Sequence, residues 1–316
     1  MKPIFYKEDW INTLRKSYGY SYVKELGFPV LSVRSFIFGN RLISLPFSDY
    51  GGIWEGRLEV DPVIIEKVLK ENSADLLEIR VPSWKTHIIS TLLDSSFSVL
   101  TRYSTFLIDL SQGIDNLWKK LSKKTRNAIR KAYKFKLKLL FVESLEDLYN
   151  YYILYSRVSH EKGSPSHTFS LFKNMYYNMV RKGLARILIA EHSNRAIAGI
   201  FLLLGDKWVN LWQCVVPKEY RPLNPSYFLI WESIKEVSQK GFTVFDMGRT
   251  RKNSGVYLFK RRWGGKEREI LHLIYGGARV IDPLQARYRI LSRLWRKLPF
   301  SITRLLDPMI IRGIAL

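Results

Sequence analysis

Asp246, Arg249, Arg251, Lys252 and Lys260 fall within one stretch, residues 244–265, which reads V-F-D-M-G-R-T-R-K-N-S-G-V-Y-L-F-K-R-R-W-G-G. Alternating bulky apolar residues at its start predict a short buried strand over 244–247, with the carboxylate of Asp246 set into it. Gly248 and Gly255 allow sharp backbone turns at either end of a loop carrying Arg249, Arg251 and Lys252. Taken as an extended segment, Val256, Leu258 and Lys260 share one side and Tyr257 and Phe259 the other, so Phe259 anchors the segment opposite the charge. A carboxylate, a cationic loop and an anchored lysine suit a site that handles anionic acyl donors. A fixed ammonium stabilises the oxyanion that develops when an amine attacks an ester or thioester. The amine must also lose a proton. Asp246 is the best carboxylate for accepting it, and a carboxylate on a buried strand equally serves to brace the loop.

The elements around this stretch alternate in kind. A basic helix is predicted over 115–135, with Trp118, Leu121, Thr125, Ala128, Ile129 and Ala132 as its buried stripe. Lys119, Lys123, Arg126, Arg130 and Lys134 line another face. Like charges three or four residues apart repel, so a polyanion that neutralises them explains the face; a solvated surface is the plain alternative. Residues 185–191, 196–204 and 208–216 read as an antiparallel meander. Asn224 then caps, and Pro225 opens, a helix to about 240, and a strand follows over 269–275. Strands at 30–38, 41–45, 76–81 and 105–110, with helices at 10–19 and at 62–72 behind an Asp61 cap, precede the basic helix. Helices at 145–162 and 168–182 follow it. The loop between them holds His160, Glu161 and His167 but lacks the spacing of a zinc motif, and no metal is expected.

With 316 residues, 47% of them hydrophobic, the chain has material for two medium domains and is not disordered. A formal charge of +23 implies polyanionic partners: tRNA, a phosphorylated or nucleotide-linked carrier, or an anionic membrane face. Cys214 is the sole cysteine, so neither a disulfide framework nor a thiolate metal cluster is available. The N-terminal residues lack a signal-peptide core, and no uncharged run approaches the roughly 20 residues of a membrane span. The expectation is a cytoplasmic protein, peripheral to the inner face of the membrane. Residues 284–316 carry seven Arg and Lys against one acid, Asp307. Leu284, Tyr288, Leu291 and Trp295 form an apolar stripe, Pro299 ends that helix, and Pro308 breaks the apolar run that follows. This basic amphipathic tail either lies on an anionic membrane or docks on its own domain.

F-D-M-G-R-T-R-K-N-S-G-V-Y-L-F-K-R-R-W-G resembles the signature of FemAB-like proteins, a branch of the GNAT acyltransferase superfamily. The pieces at 45–53 (L-P-F-S-D-Y-G-G-I), 124–132, 163–165, 220–225 (Y-R-P-L-N-P) and 294–314 are similar as well. The nearest resemblance is to the branch that occurs with exopolysaccharide and exosortase systems; the founding members add amino acids from aminoacyl-tRNA to peptidoglycan precursors. The resemblance implies an α/β (α+β) fold of two fused GNAT-like acyltransferase units, 1–104 and 105–283, with the tail behind them. It implies an amide-forming N-acyl or aminoacyl transferase, with aminoacyl-tRNA or acyl-CoA as donor substrate and no bound cofactor. Lys260 and Asp246 are its implied catalytic residues. Arg249, Arg251, Tyr257, Phe259, Tyr50, Arg126, Arg130, Arg221 and Asn224 are its implied substrate-binding residues. The turn before the 225–240 helix has no glycine, a departure from the pyrophosphate-binding turn of acetyl-CoA enzymes, although a helix N-terminus still favours an anion. A non-catalytic scaffold that gathers an anionic carrier or polysaccharide enzymes at the membrane is the remaining reading.

Overall fold

A computed structural model describes residues 1–55, 61–85, 97–276 and 286–315. Its strands join in one mixed sheet, ordered β1-β2-β3-β4-β12-β5-β10-β9-β8-β7-β6, with the short β11 (Thr250–Arg251) beside β5. β1 (Ser21–Val23), β2 (Val30–Val33) and β3 (Arg41–Ile43) run antiparallel, and β3 then lies parallel to β4 (Leu76–Pro82). β6 (Lys138–Phe141), β7 (Ala185–His192), β8 (Arg195–Leu204) and β9 (Trp208–Val215) repeat that plan, with β9 parallel to β10 (Val244–Asp246). A parallel neighbour requires a crossover. The helix Pro62–Glu71 supplies it in the first half and Pro225–Gln239 in the second. The chain is therefore two GNAT-like units fused edge to edge.

The units exchange their last strands. β5 (Ser98–Asp109) leaves β4 and pairs with β10, while β12 (Lys266–Gly276) leaves β10 and pairs with β4. The division expected at 104/105 falls inside β5, which is continuous through it; the one expected at 283/284 lies outside the described residues. Helices Glu8–Tyr18, Leu145–Lys162 and Phe169–Met175 cover one face, with Trp10, Tyr50, Tyr151, Phe172 and Phe201 in a core drawn from both halves. Pro225–Gln239 covers the other face, packing its Leu229 with Phe106, Phe245 and Trp263.

Four local expectations are corrected. The basic helix is two helices, Ile114–Lys120 and Lys123–Lys134, because Ser122 breaks in as an N-cap whose Oγ accepts from the Thr125 N–H. Residues 255–261 are helical, not extended: the Ser254 hydroxyl caps them, accepting from the Tyr257 N–H at 3.1 Å. Asn224 stands at the N-cap position of Pro225–Gln239 in a left-handed conformation (φ 58°), and its side chain makes no capping bond. Pro308 sits inside a continuous helix, Phe300–Ile314, and does not break it. The tail docks on the body through that helix. Thr303, Asp307 and Ile311 are buried, and buried Arg41 and Arg80 donate to the carbonyls of Ile314 (2.9 Å) and Ala315 (3.1 Å). Two guanidinium groups thus satisfy carbonyls that a helix C-terminus leaves open.

Candidate active site

β9 and β10 pair only from Trp208/Val244 to Asn210/Asp246 and then part. Asp246 ends β10 fully buried at that fork, and both its oxygens are occupied. Oδ2 accepts from the Tyr50 hydroxyl at 2.7 Å and from Asn210 Nδ2 at 3.2 Å. Oδ1 accepts from the Gly248 N–H at 2.9 Å and from the Thr105 hydroxyl. Burial and the nearby Asp49 carboxylate raise the Asp246 pKa, while the donors work against that rise. Gly248 (φ 75°) is required where it stands, because a Cβ there would lie 2.5 Å from the Leu211 carbonyl oxygen.

The loop after β3 brings Asp49 and Tyr50 to the fork. Leu45 (φ 57°) and Phe47 (φ 59°) both hold left-handed backbone that bulky residues avoid, and both are buried. Packing sustains the strain and delivers the carboxylate. Asp49 Oδ2 accepts from the Arg249 N–H (3.0 Å) and from Asn210 Nδ2 (2.9 Å).

Lys260 projects from the capped helix Gly255–Arg261 back into the fork. Its Nζ donates to the carbonyls of Gly248 (2.7 Å) and Arg249 (3.1 Å). Burial lowers its pKa to about 8, against the pull of the Asp49 and Asp246 carboxylates. The Arg249 guanidinium lies over the Tyr103 ring (4.9 Å) and reaches His272 Nε2 (3.5 Å). Behind it, His272 Nδ1 meets Glu78 at 3.2 Å, and Glu78 pairs with Arg80 Nε at 2.8 Å. Burial works to raise the Glu78 carboxyl, but Arg80 and His272 overrule it and hold it well below the usual range. Burial also brings His272 down to about 4, so it is neutral at pH 7. Burial pushes the Cys214 thiol up to about 11, a poor nucleophile.

Tyr50, Asp246, Arg249 and Lys260 therefore meet in one network. Arg251 lies beside it on β11, opposite Tyr103. Phe259 instead packs on Tyr227 (5.1 Å) and Trp263, and Tyr257 donates to Glu267 (2.8 Å). Arg126 and Arg130 lie on the separate helix Lys123–Lys134, which is tied to the signature by Ser122 N–H and Thr125 Oγ1 bonds to the Arg262 carbonyl. Arg221 is exposed ahead of the Pro225 helix, beside Asn224. His167 is a buried core residue bonded to the Tyr18 hydroxyl at 2.6 Å and stacked on Trp212. Asp49, Asn210, Glu78, Arg80 and His272 were not singled out from the sequence. Glu78 and Arg80 did carry a cue: two charges at i and i+2 in an apolar strand share one face.

A family model described as an acetyltransferase (GNAT) domain matches residues 119–261. Among solved structures, FemX is similar with a TM-score of 0.64 at 14% identity, covering 93% of this chain and 94% of that one. L-PGS from Bacillus licheniformis is similar at 0.57 and 14% identity, covering 92% and 97%. The C-terminal domain of an Agrobacterium fabrum protein assigned as a lysylphosphatidylglycerol synthetase scores 0.59 at 13% identity, covering 84% and 87%. At such identities the likeness is one of fold. No curated protein sequence matches the chain. Residues 119–261 thus match the GNAT acetyltransferase domain, and the chain as a whole shares its fold with FemX.

Proposed function

We propose that this chain forms an amide bond, moving an acyl or aminoacyl group from an anionic activated donor, aminoacyl-tRNA or acyl-CoA, to the amine of a cell-envelope or exopolysaccharide precursor. The observation that carries this reading is the interior ammonium of Lys260, pinned by two backbone carbonyls where β9 and β10 part. Two of its three N–H groups are used among the described residues, which leaves one for a substrate oxygen. With a pKa of about 8 it is mainly charged at pH 7 without being locked in an ion pair. As the amine attacks the donor carbonyl, the developing oxyanion gains this charge and the positive field of Arg249. The collapsing intermediate then releases the thiol of coenzyme A or a ribose hydroxyl of tRNA.

Asp246 acts as the brace. With four donors on two oxygens it holds Tyr50, Thr105, Asn210 and the Gly248 turn in place, and so fixes the carbonyls that position Lys260. Asp49, only part-buried at the same fork, is the carboxylate that receives the proton of the attacking amine. The Lys123–Lys134 helix offers its cations to the phosphates of the donor or carrier. The test is to incubate the pure protein with charged tRNA, acyl-CoA and amine-bearing envelope precursors and to seek a mass gain on the acceptor. A gain with one donor identifies it. No gain with any pair, from protein shown to be folded, sinks the reading.

A further inference from the structure

The underside of the helix Ala286–Lys297 is fixed tightly to the body. Gly163 ends Leu145–Lys162 in a left-handed turn, and a Cβ there would fall 2.2 Å from the Ser292 carbonyl oxygen. The Ser292 hydroxyl donates to the Lys162 carbonyl at 3.2 Å, and His160 Nε2 meets the Leu298 carbonyl at 2.9 Å. The outer side is bare and apolar. Ile290, Leu291 and Leu294 are each at least half exposed, as is Ile37 of the adjoining loop. On the last helix, Leu305 (77% exposed) and Met309 (74%) lie four residues apart, in line with exposed Ile302. Arg289, Arg293, Arg296 and Lys297 interleave with the apolar residues of the first helix, and all four are exposed.

Between the two helices and the loop runs an open groove of about 480 Å³, walled by Ile37, Leu291, Leu294, Trp295, Leu298 and Ile310 among others. The Trp295 indole N–H is buried in this wall and has no acceptor among the described residues. A buried donor without a partner is costly, and an ester or phosphate oxygen would satisfy it. No helix of the described residues is long and apolar enough to cross a membrane. Apolar residues laced with arginine, on helices too short and too charged to span, are the composition of an element that lies in a bilayer interface.

We propose that these two helices and the 35–38 loop dock on an anionic phospholipid bilayer. Arg289, Arg293 and Arg296 meet headgroup phosphates, Leu291, Leu294, Leu305 and Met309 enter the acyl boundary, and one chain lies in the groove with its ester oxygen at Trp295. The surface lies outside the Lys260 network, so the proposal stands or falls independently of the transfer reaction.

The test is flotation of the full chain with vesicles of phosphatidylglycerol and phosphatidylcholine, and with phosphatidylcholine alone. The expected result is strong flotation on the anionic vesicles and little on the neutral ones. The exposed triple R289Q/R293Q/R296Q should cut partition about a hundredfold, and L291D/L294D should abolish it, both with an unchanged melting midpoint. Vesicles with brominated acyl chains should quench part of the fluorescence of the wild type, and W295F should lose that part. If the wild type stays unbound on anionic vesicles, the proposal is overturned. It is equally overturned if the folded triple variant floats like the wild type, or if the bare face instead closes a dimer in sedimentation that L291D/L294D dissolves.

Discussion

Lys260 keeps a positive charge in a place from which burial would drive it, and in the proposed reaction that charge meets the developing oxyanion. Lys260→Met retains the stem and removes the ammonium. It should lower the transfer rate about a hundredfold to a thousandfold, with the melting midpoint little changed. The wild-type rate should fall as pH rises through about 8, where Lys260 loses its proton; a lysine acting as base would give the opposite limb. Asp246→Asn puts an N–H where donors already point. It should cost about 1–3 kcal/mol of stability, read as a lower urea midpoint, and reduce the rate through a displaced Gly248 turn. A large loss of rate with no loss of stability would return Asp246 to the role of base. The signature drew attention to Asp246, Arg249 and Lys260 at once, because charges in an apolar segment stand out. Asp49 did not stand out. Its site is made by left-handed backbone at Leu45 and Phe47, and nothing in those residue types announces that conformation.

At the scale of elements, the helix Lys123–Lys134 presents its cations outward while Thr125, Ile129 and Ala132 are buried. Arg130 lies over Trp118, which in turn packs on Trp231 of the crossover helix, so part of the cationic face is held in position. Reversing Lys123, Arg126 and Arg130 to glutamate should weaken binding of the charged donor, measured by titration. It should also flatten the salt dependence by about 0.9 log unit for each phosphate that the helix no longer neutralises. Unchanged binding would leave this helix an ordinary solvated surface. The meander was legible from its period, and the Pro225–Gln239 helix from its period and from Pro225 in its first turn. Residues 255–261 misled because a five-residue alternation outweighed the Ser254 cap, although the helix sets Lys260 inward just as firmly. The break at Ser122 follows the same rule: one hydroxyl able to bond the backbone restarts a helix inside a run that reads as continuous.

Across the whole molecule, acid should act through buried histidines. Burial depresses His272 to about 4 and His167 to about 3, from 6.5. The unfolded chain therefore binds more protons between about pH 6.5 and 3, and stability should decline as pH falls through that window. Glu78, held low by Arg80 and His272, acts in the same direction. Denaturant midpoints at pH 7, 5 and 4 would check it, and a flat profile would contradict it. That the chain holds two fused units was legible from resemblance and from strand-helix alternation. The exchange of β5 and β12 was not, since pairing between distant strands leaves no local mark in a sequence. The exchange governs the order of events during synthesis. β4 waits for a partner about 190 residues downstream, from Pro82 to Ile270, which at cellular translation rates is about 10–40 s. Through that interval an apolar strand offers an unpaired edge to any neighbouring chain. A polypeptide ending at residue 262 keeps the entire GNAT match yet lacks β12, and should collect in the insoluble fraction; recovery as a cooperatively melting monomer would contradict this. The residues that follow 262 thus decide the fate of a strand made long before them, and the nascent chain's exposure to chaperones is set by the topology of its sheet.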